Sequence, residues 1–405
     1  MTQASSTTTS KTGKPATNHN FISISLIIDN MGGALNKGGD GQIKQLSRGN
    51  QSYAYASPQN YRYGLRQTAE LLFGETMSPI VDNDKSTAAG RSVSTSGDAV
   101  KYWDDDLFGY MGKDTSAKGK KGAQEQVKEP GDEGEPVAPG EGEDAKGDGG
   151  DGKMLTRISP LRTSLMIAME RGNLKADTLT MNRVNDSASW RENGEKVHSG
   201  YMQGVLNLSL SEAGRIFAGL RSGLKNISPS NFDAKSGEAA PGSNLAARLE
   251  QGELQHHHVV TGKSLPMSVY TLPTQERLRR IGVLLKSVPM TVTGAHQTLG
   301  YADTTPRVTI SCVVHGGSSP LHGLVTCQGG VLKVDQNAAE RTSRSWKSYL
   351  RSPVYIGVDP RLDLSPFEAL TQGLRDGGAE AVLSTPLEAA EALEQFLIAN
   401  PDLIE

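Results

Sequence analysis

The sequence predicts an α+β protein, and three observations carry that prediction. Phe21 to Asp29 alternates apolar with polar residues and is rich in β-branched side chains, which is the pattern of a strand. Ser57 and Pro58 then stand as N-cap and first helical position of a helix that runs to Phe73, where Gly74 ends it. Late in the chain, the strong strand Arg307 to Val314 is followed by Ser365-Pro-Phe-Glu368 and Thr385-Pro-Leu-Glu388. These are two capping signals that start C-terminal helices, with Ala381 to Leu383 as a short strand between them.

The elements follow in order. Residues 1–20 carry almost no apolar side chains and are expected to be a disordered tail. The strand at Phe21 leads through a Gly/Asn/Lys loop to the helix at Ser57, the opening of a βαβ-type unit. Trp103 to Met111 is ordered by its aromatic content. The Asp/Glu/Gly/Pro-rich stretch 113–153 then loops out as a passive insertion. Ile158 to Met169 reads as a strand. Gly172 to Gly204 reads as a protruding hairpin turning at Asn193-Gly194, and Val205 to Leu210 as a core strand. Ser211 to Leu220 reads as a helix, Ser228 to Ser243 as a loop, and Thr274 to Lys286 as a basic helix. The ordered body spans 21–361, and 362–405 form a helical extension.

Composition excludes several classes. The 405 residues carry a formal net charge of only -3, so any basic surface is local. Basic residues gather at Lys37, Lys44, Arg48, Arg62 and Arg66, at Arg157 and Arg162, and at Arg277, Arg279 and Arg280. Cys312 and Cys327 are too few for a disulfide scaffold and read as reduced thiols. Residues 1–20 lack an apolar signal core, and no apolar run reaches membrane-spanning length, so the expectation is a cytoplasmic protein with no membrane partner.

Catalytic and metal motifs fail on inspection. Gly262-Lys263-Ser264 resembles the end of a phosphate loop, but His257 stands where the earlier glycine is required. His256, His257 and His258 are adjacent and so diverge in direction, with no Cys or carboxylate cluster to support them as ligands. His315 and His322 lack a zinc helix. Asp104, Asp105 and Asp106 read as a solvated turn or helix start. No metal, cofactor or catalytic residue is expected.

The helix at Ser57 is more informative. Gln59, Arg62, Tyr63 and Arg66 are spaced by three and four and share one face, beside a helix N-terminus suited to anions. Lys37 and Lys44 of the preceding loop reach toward it. Arg, Lys, Gln and Asn are the side chains that hold phosphate and ribose. The competing reading, given equal weight, is an amphipathic helix with Leu65, Leu72 and Phe73 inward and solvated cations. At 5% aromatic the chain lacks a base-stacking platform, so RNA binding would address the backbone.

The ordered set Phe21-Ile-Ser-Ile-Ser-Leu-Ile-Ile28, Leu35-Asn36-Lys37 and Ser57-Pro-Gln-Asn-Tyr-Arg-Tyr-Gly-Leu-Arg66 resembles the opening of the Cascade backbone subunit of type I CRISPR systems (the Cas-seven superfamily). Asp106-Leu-Phe-Gly-Tyr-Met111, Ser159-Pro-Leu-Arg-Thr-Ser164 and the strand at Val205 are similar to its DevR branch, typical of type I-B. The likeness runs from about Asn20 to Leu324 and leaves out the insertion and the C-terminal helices.

The resemblance implies an RRM-like (ferredoxin-like) palm, fingers at about 75–157 and a thumb at about 172–204. It implies copies stacked head to tail on the guide RNA. By position, Asn36, Lys37, Lys44, Gln59, Asn60, Arg62, Arg66 and Arg162 would contact the guide backbone, and Leu179 and Met181 would be thumb wedge residues. Implied partners are guide RNA, the target DNA strand through the guide, and the other Cascade subunits: the large subunit, the 5′-handle-capping subunit and the guide-processing endonuclease. A nuclease-helicase and transposition proteins both stay open as further partners.

Type III relatives cleave RNA with an Asp in an early loop. Asp29 and Asp40 lie nearby, but the pattern is that of type I and no cleavage is expected. Two alternatives stand beside this reading: a metal-dependent RNA-cleaving backbone subunit, and a developmental regulator acting through protein contacts. Because the insertion cannot pack a core, a chain lacking 114–152 is expected to assemble as the intact chain does, as judged by its elution volume and retained RNA.

Overall fold

The computed structural model describes residues 19–33, 35–38, 42–82, 93–113, 154–171, 174–176, 179–181, 190–192, 196–220, 223–233, 236–262, 265–294 and 301–405. Residues 1–18 of the expected tail, most of the acidic insertion and Asp40 lie outside them. The central strand is β1 (Asn20–Gly33), antiparallel to β13 (Lys196–Ser209) on one side and β18 (Pro306–His315) on the other. Beyond β13 come β8 (Leu161–Thr163) and β9 (Met166–Ala168), then β3 (Gln51–Ala56) and β2 (Gln45–Arg48), while β10 (Leu174–Ala176) extends the far half of β13. Beyond β18 come β21 (Val354–Val358) and, in parallel, β22 (Ala381–Ser384), which makes the sheet mixed and, among the described residues, ten-stranded.

A second, six-stranded sheet runs β16 (Gln255–Gly262), β17 (Leu265–Thr271), β14 (Arg215–Ala218), β15 (Leu224–Lys225), β7 (Met154–Arg157), β6 (Tyr110–Lys113). Three ribbons complete the strands: β4 (Ile80–Asp82) with β5 (Val93–Thr95), β11 (Leu179–Met181) with β12 (Trp190–Glu192), and β19 (Val325–Gln328) with β20 (Val331–Val334). The helices are α1 (Pro58–Phe73), α2 (Trp103–Phe108), α3 (Asn244–Glu250), α4 (Thr274–Ser287), α5 (Gln336–Trp346), α6 (Ser365–Asp376) and α7 (Pro386–Ala399). Among the described residues no helix is long and apolar enough to cross a membrane.

Alternation along β1 sorts the layers. Ile22, Ile24, Leu26 and Ile28 point into one core with Leu206 and Leu208 of β13, under Tyr61, Leu65 and Ala69 of α1, Ile281, Leu284 and Leu285 of α4, and Leu393 and Leu397 of α7. Ile27 lies on the other face with Val308, Ile310 and Cys312. There α5 and α6 cover the β18–β21 half through Ala339, Phe367, Leu370 and Leu374.

Five expectations change. Ile158 to Met169 is not one strand: the chain leaves β7, turns at Ser159-Pro160 where proline removes a ladder donor, and re-enters as β8 and β9. Ser211 to Leu220 is a turn followed by β14, because Gly214 adopts φ +71 and Arg215 to Ala218 finds a partner in β17. Ser365 is the first helical residue of α6, not its cap, and its hydroxyl bonds Asp363. Thr385 does form the full capping box with Glu388.

The Asn193-Gly194 pair lies outside the described residues, and the strands on its two sides do not pair with each other. Residues before it (Trp190 to Glu192) pair with Leu179 to Met181, and residues after it (Lys196 to His198) pair with Leu174 to Ala176, so both flanks lie on one arm.

The aspartate run is the fifth. Asp104, Asp105 and Asp106 begin α2 but are 3%, 0% and 0% exposed. Asp106 accepts from Arg157 Nη2, from Arg280 Nη1 at 3.1 Å and from the Gly214 amide at 3.0 Å. Asp105 accepts from the Ser78 hydroxyl and the Asp98 amide, and Asp104 from the Ser78 amide. Arg277 beside them is 2% exposed and donates to the carbonyls of Ala213, Leu210 and Ile404, with burial lowering its pKa to about 10. The cations of the expected basic helix are therefore structural. They fasten α4 and α2 to the six-stranded sheet. Replacing Asp106 by Ala strands two buried guanidiniums, and the unfolding free energy in a denaturant titration is expected to fall by about 3–5 kcal/mol.

Candidate nucleic-acid interface

Local signals fix α1. The Ser57 hydroxyl accepts from the Asn60 amide, Pro58 occupies the first turn and Gly74 ends the helix with φ 69. Asn36 Oδ1 accepts from the Ser57 amide at 3.1 Å, and Lys37 forms a bridge with Ile43, so the preceding loop is clipped onto the helix start. Asn36, Lys37, Lys44 and the helix N-terminus are thereby brought together, with Lys37 and Lys44 partly exposed.

The shared basic face does not form. Gln59 and Tyr63 face solvent, whereas Arg62 and Arg66 turn sideways onto α2. The Arg62 guanidinium lies 5.1 Å from the Phe108 ring centroid and donates to the Phe108 carbonyl and, at 2.9 Å, to Ser159 Oγ. Arg66 sits 4.4 Å from the same ring and 3.7 Å from the Asp104 carboxylate. Burial, then the Arg66 charge, lowers the Arg62 pKa to about 10, and burial lowers that of Arg66. Asn60 is likewise committed, accepting from the Thr293 hydroxyl at 2.7 Å. Gly64 lets that segment approach: a Cβ there would lie 3.0 Å from the Val292 carbonyl. Of the inward residues, Leu65 is buried and Phe73 packs on the core, but Leu72 is 56% exposed.

A groove of mixed polar and apolar lining lies instead on the face of the sheet opposite α1. It has two parts. One, of about 580 Å³, is lined by the apolar Leu46, Leu165, Ile167, Ala168 and Met169 together with Arg48, Tyr53, Ser164, Gln203 and His322. The other, of about 540 Å³, lies toward the far end of β1 and is lined by Asp29, Glu170, Arg171, Ser199, Tyr201 and Gly329. Arg48 and Arg171 are exposed. The segment 316–325 roofs the sheet beside the groove: Asn207 Nδ2 donates to the Gly317 carbonyl at 2.7 Å, and Ser25 Oγ lies 3.1 Å from His322 Nδ1. Burial lowers the His322 pKa.

Glu170 fastens the second part. Its carboxylate accepts from the amides of Gly330 (2.9 Å) and Gly329 (2.6 Å), which hold its pKa down together with the Cys327 thiol. These glycines close β19–β20 with φ +61 and +75, a two-residue turn that side chains rarely tolerate. Asp29 opens onto the same space, its pKa raised by burial against the field of Arg307.

Arg162 is exposed on this face as well, 5.1 Å from the Phe21 ring centroid. Leu179 and Met181 occupy β11, paired with β12, so the segment expected to protrude is a two-stranded ribbon. Among the described residues no group of three metal-ligating side chains occurs. The groove residues Arg48, Arg171 and Gln203 come from three separated segments. Only Arg48 stood out in the sequence, as a member of the early basic cluster.

No protein-family model matches the sequence, and no curated protein matches it. Among solved structures, a chain of a "CRISPR RNA-guided surveillance complex" is 14% identical with a TM-score of 0.47, over 94% of this chain and 99% of that one. A chain of a "CRISPR RNA-guided surveillance complex, pre-nicking" is 12% identical with a TM-score of 0.49, over 94% of this chain and all (100%) of that one.

Arg62→Ala strips a donor from the Phe108 carbonyl and Ser159. It is expected to cost about 1–3 kcal/mol of stability by chemical denaturation, whereas Gln59→Ala changes it by less than about 0.5 kcal/mol.

Proposed function

We propose that this chain is a non-enzymatic subunit that grips the backbone of a guide RNA in a type I CRISPR effector, copies lining up along one strand. The observation that carries the reading is the topology around β1. The order β9–β13–β1–β18 with α1 and α4 on one face, strands two, three, one and four in chain order, supports reading this part as an RRM-like palm. Such a palm offers its opposite face to single-stranded nucleic acid, and here that face holds the groove flanked by Arg48 and Arg171. Arg48, Arg171, Gln203, Ser164 and Tyr53 are among its polar side chains, set beside the apolar Leu46, Leu165, Ile167 and Met169. Phe21, the aromatic on the central strand, is 7% exposed beneath Arg162 and so is closed to bases. Gripping phosphate and ribose without reading sequence fits that lining.

In this reading residues of about 75–157, with α2, β6 and β7, form the fingers, and the β11–β12 ribbon is the thumb carrying Leu179 and Met181. Lys37 and Lys44 meet the guide at the helix start, while Arg62 and Arg66 support it from inside. The type I-B branch, the head-to-tail stacking, the target strand and the other Cascade subunits come from the sequence resemblance. The alternative of a metal-dependent RNA cleaver keeps one supporting observation, the place of Asp29 in the groove.

Co-expression with a CRISPR array tests the proposal. Arg48→Gln with Arg171→Gln is expected to lower guide retention and to flatten the salt dependence of binding by about 1.4 in slope, two phosphates at about 0.7 each. Retention equal to wild type counts against the groove. In the same preparations, complementary RNA with a divalent metal should stay intact; regularly spaced cuts lost on Asp29→Ala would favour the cleaver.

A further inference from the structure

Away from the groove, α5 and the turn that continues it carry a stripe of cations. Arg341, Arg344 and Lys347 follow at spacings of three along α5 and its cap and share one side, and Arg351 follows four residues on, beyond the helix end. The neighbouring stripe is the packed one: Ala339 and Ser343 are fully buried, and Trp346 and Leu350 are partly buried. That packing fixes the cations outward. The side chains of Arg341 and Arg344 are 69% and 68% exposed, and Lys347 and Arg351 are exposed too.

Charge compensation is uneven. Arg344 pairs with Glu340, and Arg341 lies 3.9 Å from Asp335. Lys347 and Arg351 have no carboxylate partner among the described residues; the Arg351 guanidinium donates to the carbonyls of Ser348 and Leu350. No acidic residue occurs between Glu340 and Asp359. A helix C-terminus attracts a cation on its own account, but one near the last turn meets that demand, and Arg351 lies beyond it. Tyr349, 47% exposed, stands among these charges with its ring edge-on to Trp346 at 5.6 Å between centroids.

The patch has a definite place. The Tyr349 carbonyl accepts from the His315 amide, and the Arg351 amide donates to the Val313 carbonyl, which fixes this turn at the Asn20 end of β1. The groove meets β1 near Ile27 and Asp29, seven to nine residues along, about 20–30 Å away. A strand lying in the groove does not fill the patch by the same contact.

We propose that Lys347, Tyr349 and Arg351, flanked by Arg341 and Arg344, bind single-stranded DNA without sequence preference. Unpaired cations take its phosphates and the exposed tyrosine stacks a base, which a single strand offers and a duplex withholds. The choice of DNA rests on the proposed function: the guide occupies the groove, and DNA is the other strand such an effector handles.

The test titrates fluorescent oligothymidylate, which the guide does not pair with, against the guide-loaded complex. Lys347→Gln with Arg351→Gln is expected to weaken binding about tenfold and to flatten the salt slope by about 1.4. Tyr349→Ala should weaken it severalfold at unchanged slope. Lys101→Gln, an exposed cation elsewhere, should bind as wild type. Unchanged binding by the double variant overturns the proposal. So does an equal loss in Lys101→Gln, equal competition by polyglutamate, equal binding of a duplex, or a parallel loss of guide RNA. If the double variant lowers the unfolding midpoint, Arg341→Gln with Lys347→Gln is read instead against the same outcomes. Should wild type retain no guide, the functional reading fails, while the same titration on the guide-free chain still decides whether the patch holds DNA.

Discussion

The buried carboxylate of Asp106 holds the architecture together. It sits between Arg157 of β7 and Arg280 of α4, and also takes the amide of Gly214 where the chain enters β14. One side chain thus ties the six-stranded sheet to the helix layer over β1. Fully buried, such a carboxylate is tolerable only with every oxygen engaged, and removing either side leaves an uncompensated charge. The orientation of α2 follows from it, and with α2 goes the ring of Phe108 on which Arg62 and Arg66 rest. The conformation of the helix start is therefore set from inside the protein.

Two faces of one sheet then divide the work. The alternation of β1 commits Ile22, Ile24, Leu26 and Ile28 to the helix side, leaving Ser23, Ser25 and Asp29 on the other. On that side α5, α6 and the segment 316–325 cover β18 and β21, while β13, β9 and β3 remain open enough for the groove. An open groove edged by Arg48 and Arg171 on an otherwise covered sheet is the feature the functional reading builds on.

What the sequence disclosed and what it concealed follow the range of the interactions. Helix α1 was legible to the residue because Ser57, Pro58 and Gly74 act within a turn of where they stand. The alternation of β1 and the capping box at Thr385 are equally local. The direction of Arg62 and Arg66 was not legible, since Phe108 and Asp104 lie some forty residues on. The burial of Asp104 to Asp106 was hidden for the same reason: the partners of Asp106 are 51 and 174 residues distant. Ser211 to Leu220 reads as a helix until β17, far along the chain, supplies a ladder. The groove gathers Arg48, Arg171 and Gln203 from three segments that no spacing connects. Of the cations on α5, only the spacing of Arg341, Arg344 and Lys347 is local; Arg351 joins them through the turn that follows the helix.

The central claim is that many copies of this chain share one RNA strand. The direct measurement is electron microscopy, with absorbance at 260 and 280 nm, of the chain purified after co-expression with a CRISPR array. The account predicts elongated particles of stacked copies whose absorbance shows nucleic acid and whose RNA is the guide. Single, RNA-free protomers from the same cells would contradict it.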